Sequence, residues 1–189
     1  MSKPKITITY NAPVTITFAI IAFLALFLDK FTAGWTTHNL FMVYKSSWYD
    51  PLFYVRLFGH VLGHSNYAHY IGNMLYILLL GPGLEEKYGS KKFLSFIMLT
   101  ALATGLFHIF FGRGALLGAS GVVFMCIVLA SFTSVRKQEI PLTAILVLIL
   151  YLGQEILTGL TAMDNISQIT HVIGGVVGFI LGLTVKGRH

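Results

Sequence analysis

Charged residues are scarce in this chain: only 11% of its 189 residues are Asp, Glu, Lys or Arg, whereas 56% are hydrophobic. An average soluble domain has about 25% charged residues, and the mean hydropathy is +0.77. This composition excludes an ordinary soluble protein and predicts an integral membrane protein. Because a membrane-spanning helix needs about 20 mostly apolar residues, we expect about six spans in a single domain, residues 1–189.

Cysteine and acidic residues are also few. The single Cys126 lies within an apolar run, which excludes a disulfide framework and suits a small core residue. The 7 acidic residues stand against 13 basic ones. In a soluble chain this excess suggests nucleic acid, but in so apolar a chain its distribution indicates membrane orientation, and we expect no nucleic-acid partner.

Apolar runs divide the chain into six predicted transmembrane helices, so the predicted fold class is an all-α membrane protein. A long first connection, residues 30–66, mixes Trp, Tyr and Phe with charges and is typical of a membrane interface. We expect Gly81-Pro82-Gly83 to end the second helix. The predicted helices are residues 12–29, 67–84, 92–111, 120–135, 141–159 and 168–185.

The basic residues predict the orientation of these helices. With both termini in the cytoplasm, nine basic residues lie on the cytoplasmic side and four outside, as the positive-inside rule favours. The nine are Lys3, Lys5, Lys87, Lys91, Lys92, Arg136, Lys137, Lys186 and Arg188, and the four are Lys30, Lys45, Arg56 and Arg113.

Several polar residues fall inside the predicted helices, where a polar group is costly and indicates function. His69 and Asn73 are four residues apart and share one face of the second helix. Ser120 opens the fourth helix within the sequence GASG, residues 118–121, and His171 lies near the start of the sixth. These four, and Glu155 near the outer end of the predicted fifth helix, are predicted at similar depth near the outer side, where they could meet.

Glycines follow His171 at the spacing of one helical face. They stand at Gly174, Gly175, Gly178 and Gly182, and glycine on one face lets two helices approach closely. If this face packs on the fourth helix, His171 comes within reach of Ser120. The structural alternatives are a packing stripe with an incidental histidine and a serine that only caps a helix.

The residue types suit nucleophilic hydrolysis. A serine hydroxyl needs a base, and neutral imidazole is suited to that role. The developing oxyanion needs hydrogen-bond donors, for which Asn73, His69 and the backbone N–H of Ser120 are candidates. No acidic residue is placed to orient His171, so we predict a dyad.

Together these residues resemble the rhomboid family of intramembrane serine proteases, in its bacterial six-helix form. The resemblance rests on residues 56–60, His64-x4-His69-x3-Asn73, residues 83–89, GASG, and His171-x2-Gly174-x3-Gly178. It implies cleavage of transmembrane protein substrates near the outer face of a bacterial plasma membrane. The implied partners are those substrates and the lipid bilayer, with no metal or cofactor.

The resemblance implies a role for each matched residue. Ser120 matches the nucleophile and His171 the base, while Asn73, His69 and Gly118 match the surroundings of the oxyanion. The chain departs from the family at Val55, where tryptophan is common, and at Phe124, where a tyrosine would add a hydroxyl. Structural support is implied for Arg56, Glu85, Phe124, Gly174 and Gly178.

Other interpretations stay open. A small transporter with a proton path would use Glu155 and His171, together with Gln154 and His108. A rhomboid-like protein without catalysis would bind membrane clients. A metal site from His60, His64 and His69 is disfavoured, because spacings of four and five place at most two on one helical face. The fifth helix and residues 161–169 are candidates for a gate, while the substrate, the oligomeric state and the role of Glu155 stay open.

Overall fold

The computed structural model of the chain describes residues 8–133, 140–147, 149–150, 153 and 166–188. Helices dominate these residues, as predicted. Their bounds are α1 (Pro13–Phe31), α2 (Trp35–Leu40), α3 (Pro51–Gly59), a 3-10 helix (His60–Leu62), α4 (Tyr67–Tyr88), α5 (Ser90–Phe111), α6 (Ser120–Ala130) and α7 (Ile166–Thr184).

Two of the described helices, α1 and α5, are long and apolar enough to cross a membrane. The helix α6 and residues 170–184 of α7 are apolar but shorter than a full span. Residues 142–147 and 149–150 are helical as well. Nine residues of the predicted fifth helix, 141–159, lie outside the described residues, Gln154 and Glu155 among them, as do residues 161–165 of the candidate gate.

The predicted end of the second helix is wrong, because α4 continues through Pro82 to Tyr88. A proline inside a helix removes one backbone hydrogen bond, but membrane helices tolerate this where neighbouring groups compensate. Leu84, Glu85 and Tyr88 are all buried. Packing of this last stretch therefore outweighs the turn signal of Gly81-Pro82-Gly83.

The predicted fourth helix, 120–135, is too long at its carboxyl end, because α6 ends at Ala130 and residues 131–133 form a turn. The Lys87 ammonium of α4 donates to the backbone carbonyls of Phe132 and Thr133. Backbone carbonyls at the end of a helix have no intrahelical N–H donor, and the Lys87 ammonium supplies one here. This hydrogen bonding favours ending the helix at this point.

The predicted interfacial connection, residues 30–66, contains regular secondary structure. It includes a short β-strand, which the predicted all-α fold did not contain. Strand β1 (Val43–Tyr44) pairs antiparallel with β2 (Ala115–Leu116). The pairing ties the connection to the segment just before the GASG sequence. The loop that leads to Ser120 is therefore positioned partly by Val43 and Tyr44, which lie about 70 residues earlier in the chain.

Arg56 holds the connection together from a buried position. Its guanidinium donates to Ser46 Oγ at 2.9 Å and to Asp50 Oδ2 at 2.6 Å, and it lies over the ring of Tyr44. The hydrogen bond from Arg56, and a second one from the backbone N–H of Leu52, lower the pKa of Asp50. Asp50 thus caps α3 as a carboxylate.

Glu85 joins α4 to the start of α1. Its carboxylate accepts hydrogen bonds from the backbone N–H groups of Val14 and Thr15, at 2.9 and 3.0 Å, and from Thr15 Oγ1 at 2.9 Å. These are the N–H groups that a helix start leaves without an intrahelical acceptor, and a negative charge is favourable there. The contact fixes where α1 crosses α4.

Candidate active site

The helices α6 and α7 pack closely through glycines. A Cβ built on Gly174 would overlap the carbonyl oxygen of Gly121 and lie 2.8 Å from its carbonyl carbon. A Cβ on Gly178 would lie 2.5 Å from the carbonyl oxygen of Met125. No side chain fits at either position, so the glycine face predicted from the spacing is the face of α7 that meets α6.

This packing places His171 beside the start of α6. Its neighbour Thr170 has its carbonyl oxygen 3.6 Å from where a Cβ of Gly121 would stand. The His171 ring packs against Phe124, with ring centroids 4.7 Å apart and planes inclined by 37°. Phe124 lies one helical turn after Ser120, so the two side chains share one face of α6. The ring that contacts His171 and the serine are therefore neighbours on that face.

Ser120 is the first residue of α6 rather than its cap. The N-cap is Ala119, and the helix start has no capping hydrogen bond from a side chain. The alternative in which Ser120 only caps the helix is therefore wrong. The first N–H groups of a helix have no intrahelical acceptor, and the helix dipole makes that end electropositive. The N–H of Ser120 belongs to this set.

Gly118 brings two polar side chains against the loop before Ser120. Its φ of +127° is a backbone region that side-chain-bearing residues rarely adopt. A Cβ there would lie 2.8 Å from His69 Nε2 and 3.9 Å from Asn73 Nδ2. The loop is held in place by a 2.9 Å hydrogen bond from the Gly118 N–H to the carbonyl of His60.

His69 and Asn73 lie on the first two turns of α4, whose start is fixed by Asn66. The Asn66 side chain accepts the His69 backbone N–H at 2.8 Å, and Ser65 Oγ lies 3.2 Å from His69 Nδ1. If Ser65 donates to Nδ1, the proton of a neutral His69 sits on Nε2, the atom nearest Gly118.

Sequence reasoning gave no role to Asn66 or Ser65, and it used His64 only in the family motif and in the metal alternative. Asn66 is a preferred N-cap type directly before the helix, so its role was open to prediction. His64 is buried, and its Nε2 lies 3.1 Å from Asn73 Nδ2. Nine residues separate the pair across a helix start, a spacing that no helical pattern detects.

The three histidines of the metal alternative do not assemble. His60 points to α5, where its Nε2 lies 3.2 Å from Thr104 Oγ1. The rings of His64 and His69 meet edge to face, with centroids 5.0 Å apart. Among the described residues, no three metal-ligating side chains gather at one point. His108 is buried in α5, but the transporter alternative depends on Glu155 and Gln154, which lie outside those residues.

Comparison with known proteins assigns the chain to a family. A family model described as "Rhomboid domain" matches residues 52–188. The chain is 24% identical over 195 residues to "Rhomboid protease GluP" of Bacillus subtilis (strain 168), a match that covers 98% of this chain and 37% of the relative. It is 26% identical over 134 residues to "RHOMBOID-like protein 1" of Arabidopsis thaliana, covering 67% and 33%. The chain therefore spans about a third of the length of these relatives.

Proposed function

Because this chain belongs to the rhomboid family of integral membrane proteins, we propose that it is an intramembrane serine endopeptidase with Ser120 and His171 as its catalytic dyad. The observation that carries the proposal is the joint placement of four residues. His171 packs on Phe124 beside the helix that Ser120 begins, and Gly118 brings His69 and Asn73 to the same loop. The name of the Bacillus subtilis relative supports a protease.

The first half of the reaction forms an acyl-enzyme. Ser120 Oγ attacks the carbonyl carbon of the scissile peptide bond, and His171 takes the serine proton as general base. A C–O bond forms, and the carbonyl π electrons move to the oxygen. When this intermediate collapses, the C–N bond breaks and His171 returns its proton to the leaving amine. Water then hydrolyses the ester by the same route, with His171 again as the base.

Donors beside Ser120 stabilise the oxyanion. The Ser120 N–H at the start of α6, His69 Nε2 and Asn73 Nδ2 are the candidates, and all three border the loop that contains Gly118. Removing one such donor in a serine protease typically costs about 100- to 1,000-fold in turnover. The Phe124 ring keeps the face of His171 in place but contributes no hydrogen bond.

We further propose that the substrates are transmembrane segments of other membrane proteins and that the site opens to the outer side of a bacterial plasma membrane. The charge distribution supports this orientation, with nine of thirteen basic residues assigned to the cytoplasmic side. The site residues lie at the amino ends of α4, α6 and α7. Up-and-down crossing of successive spans brings those ends to one side of the membrane.

Reconstituted protein and a single-span fluorescent substrate test the function. We expect cleavage to be lost in Ser120→Ala and His171→Ala. Asn73→Ala is expected to lower kcat with little change in KM, because an oxyanion donor acts in the transition state. Cleavage at the unaltered rate by Ser120→Ala would overturn the proposal.

A further inference from the structure

His64 is buried next to the candidate oxyanion donors, yet the proposed reaction gives it no task. Its side chain precedes α4 and is 1% exposed. Its Nδ1 lies 3.1 Å from the carbonyl oxygen of Leu62. A carbonyl only accepts hydrogen bonds, so Nδ1 must carry the proton.

The other ring nitrogen of His64 is therefore an acceptor. Burial, followed by the nearby charge of His69, lowers the pKa of His64 to about 4, so the ring is neutral at neutral pH. In the neutral ring with its proton on Nδ1, Nε2 has a lone pair and no hydrogen. The 3.1 Å contact between His64 Nε2 and Asn73 can then be a hydrogen bond only if the amide nitrogen of Asn73 donates.

This contact decides which way the Asn73 amide faces. An amide can rotate by half a turn and exchange its oxygen and its nitrogen with little change in shape. With the oxygen toward His64, two acceptors would oppose each other and a buried hydrogen bond would be lost. His64 thus selects the orientation that places Nδ2 toward Gly118, where a Cβ would stand 3.9 Å away.

We propose that His64 is a positioning residue that holds the Asn73 amide nitrogen toward the oxyanion. The inference rests on the proposed protease function. The Asn73 Nδ2 group has two hydrogens: one is bound by His64, and the second is left for the developing negative charge. Without His64, the rotated amide would present its oxygen to that charge and repel it.

A double-mutant cycle with Asn73 tests this role, using the reconstituted enzyme and the single-span fluorescent substrate. His64→Phe keeps a flat ring but has no acceptor, and we expect kcat to fall roughly tenfold, less than complete loss of a donor. We expect KM to stay within about twofold. His64→Gln, whose side-chain oxygen can accept from Asn73, is expected to recover most of the rate. In the Asn73→Ala background, His64→Phe should change kcat by less than about twofold.

Equal losses from His64→Phe in both backgrounds would overturn the inference, since His64 would then act without Asn73. Thermal unfolding in detergent shows whether each variant is folded at the assay temperature, and His64→Leu replaces His64→Phe if the larger ring does not fit. His38→Phe, at an exposed position in α2, is the matched control and should keep the parental rate. Ser120→Ala in the same assay separates the two proposals: if it is inactive while the cycle is additive, only the role of His64 fails.

Discussion

Replacing Gly174 by alanine tests whether glycine packing sets the geometry of the site. The new Cβ would overlap the carbonyl oxygen of Gly121 and lie 2.8 Å from its carbonyl carbon. Unstrained carbon contacts stand at about 3.5 to 4.0 Å. The backbone of α7 therefore has to move away from α6 by about 1 Å, because both contacting groups are backbone and neither can rotate away.

This displacement is expected to reduce both catalysis and stability. His171 is one helical turn from Gly174, and Ser120 is next to Gly121, so the separation acts directly on the proposed dyad. A misplacement of about 1 Å can cost about 100-fold in rate, and we expect a loss of kcat of that order. Overpacking of a close contact typically costs about 1 to 3 kcal/mol of unfolding free energy, so the thermal midpoint should also fall.

Cleavage kinetics and thermal unfolding in detergent measure the two effects, with kinetics taken at a temperature at which the variant is folded. Gly83→Ala is the matched control, because Gly83 lies inside α4 and an added Cβ there would have no packing neighbour within 4 Å. It should keep the parental kcat. A Gly174→Ala protein with parental kcat and parental thermal midpoint would refute the reasoning, since the close approach of α6 and α7 would then be absent.

Two further predictions concern stability. Glu85→Gln removes the charge and one acceptor from the start of α1 and should cost about 1 to 3 kcal/mol of unfolding free energy, seen as a lower thermal midpoint, whereas the exposed control Glu86→Gln should change little. Burial lowers the pKa of His60 from 6.5 to about 4, so between these values the unfolded chain binds a proton that the folded chain does not. Stability should therefore fall as the pH drops from 6.5 toward 4, and thermal midpoints in His60→Gln should fall less; an unchanged slope would contradict this.

The sequence was sufficient where the information is local and periodic. The spacing of Gly174 and Gly178 after His171 defines one helical face, and that face packs on α6 in the structure. The helical secondary structure could also be predicted locally. Apolar runs of this length can satisfy their backbone hydrogen bonds within the membrane only as helices. The start of α6 at Ser120 was predicted for the same reason.

Features that depend on distant contacts could not be predicted. The helix α4 continues past Pro82 because its last turns are buried and because Glu85 binds the start of α1, about 70 residues earlier. The strands β1 and β2 are two residues each, too short to show an alternating pattern. The contact between His64 and Asn73 depends on the path of the chain before α4, and no spacing rule describes it.

Active-site labelling tests most directly the central claim that Ser120 and His171 form a catalytic dyad. A fluorophosphonate reacts with an activated serine, and mass spectrometry of the labelled protein in detergent identifies the modified residue. The proposed dyad predicts a single adduct on Ser120, which is absent in Ser120→Ala and strongly reduced in His171→Ala. An adduct that persists in Ser120→Ala, or labelling that does not depend on His171, would contradict the assignment of these two residues.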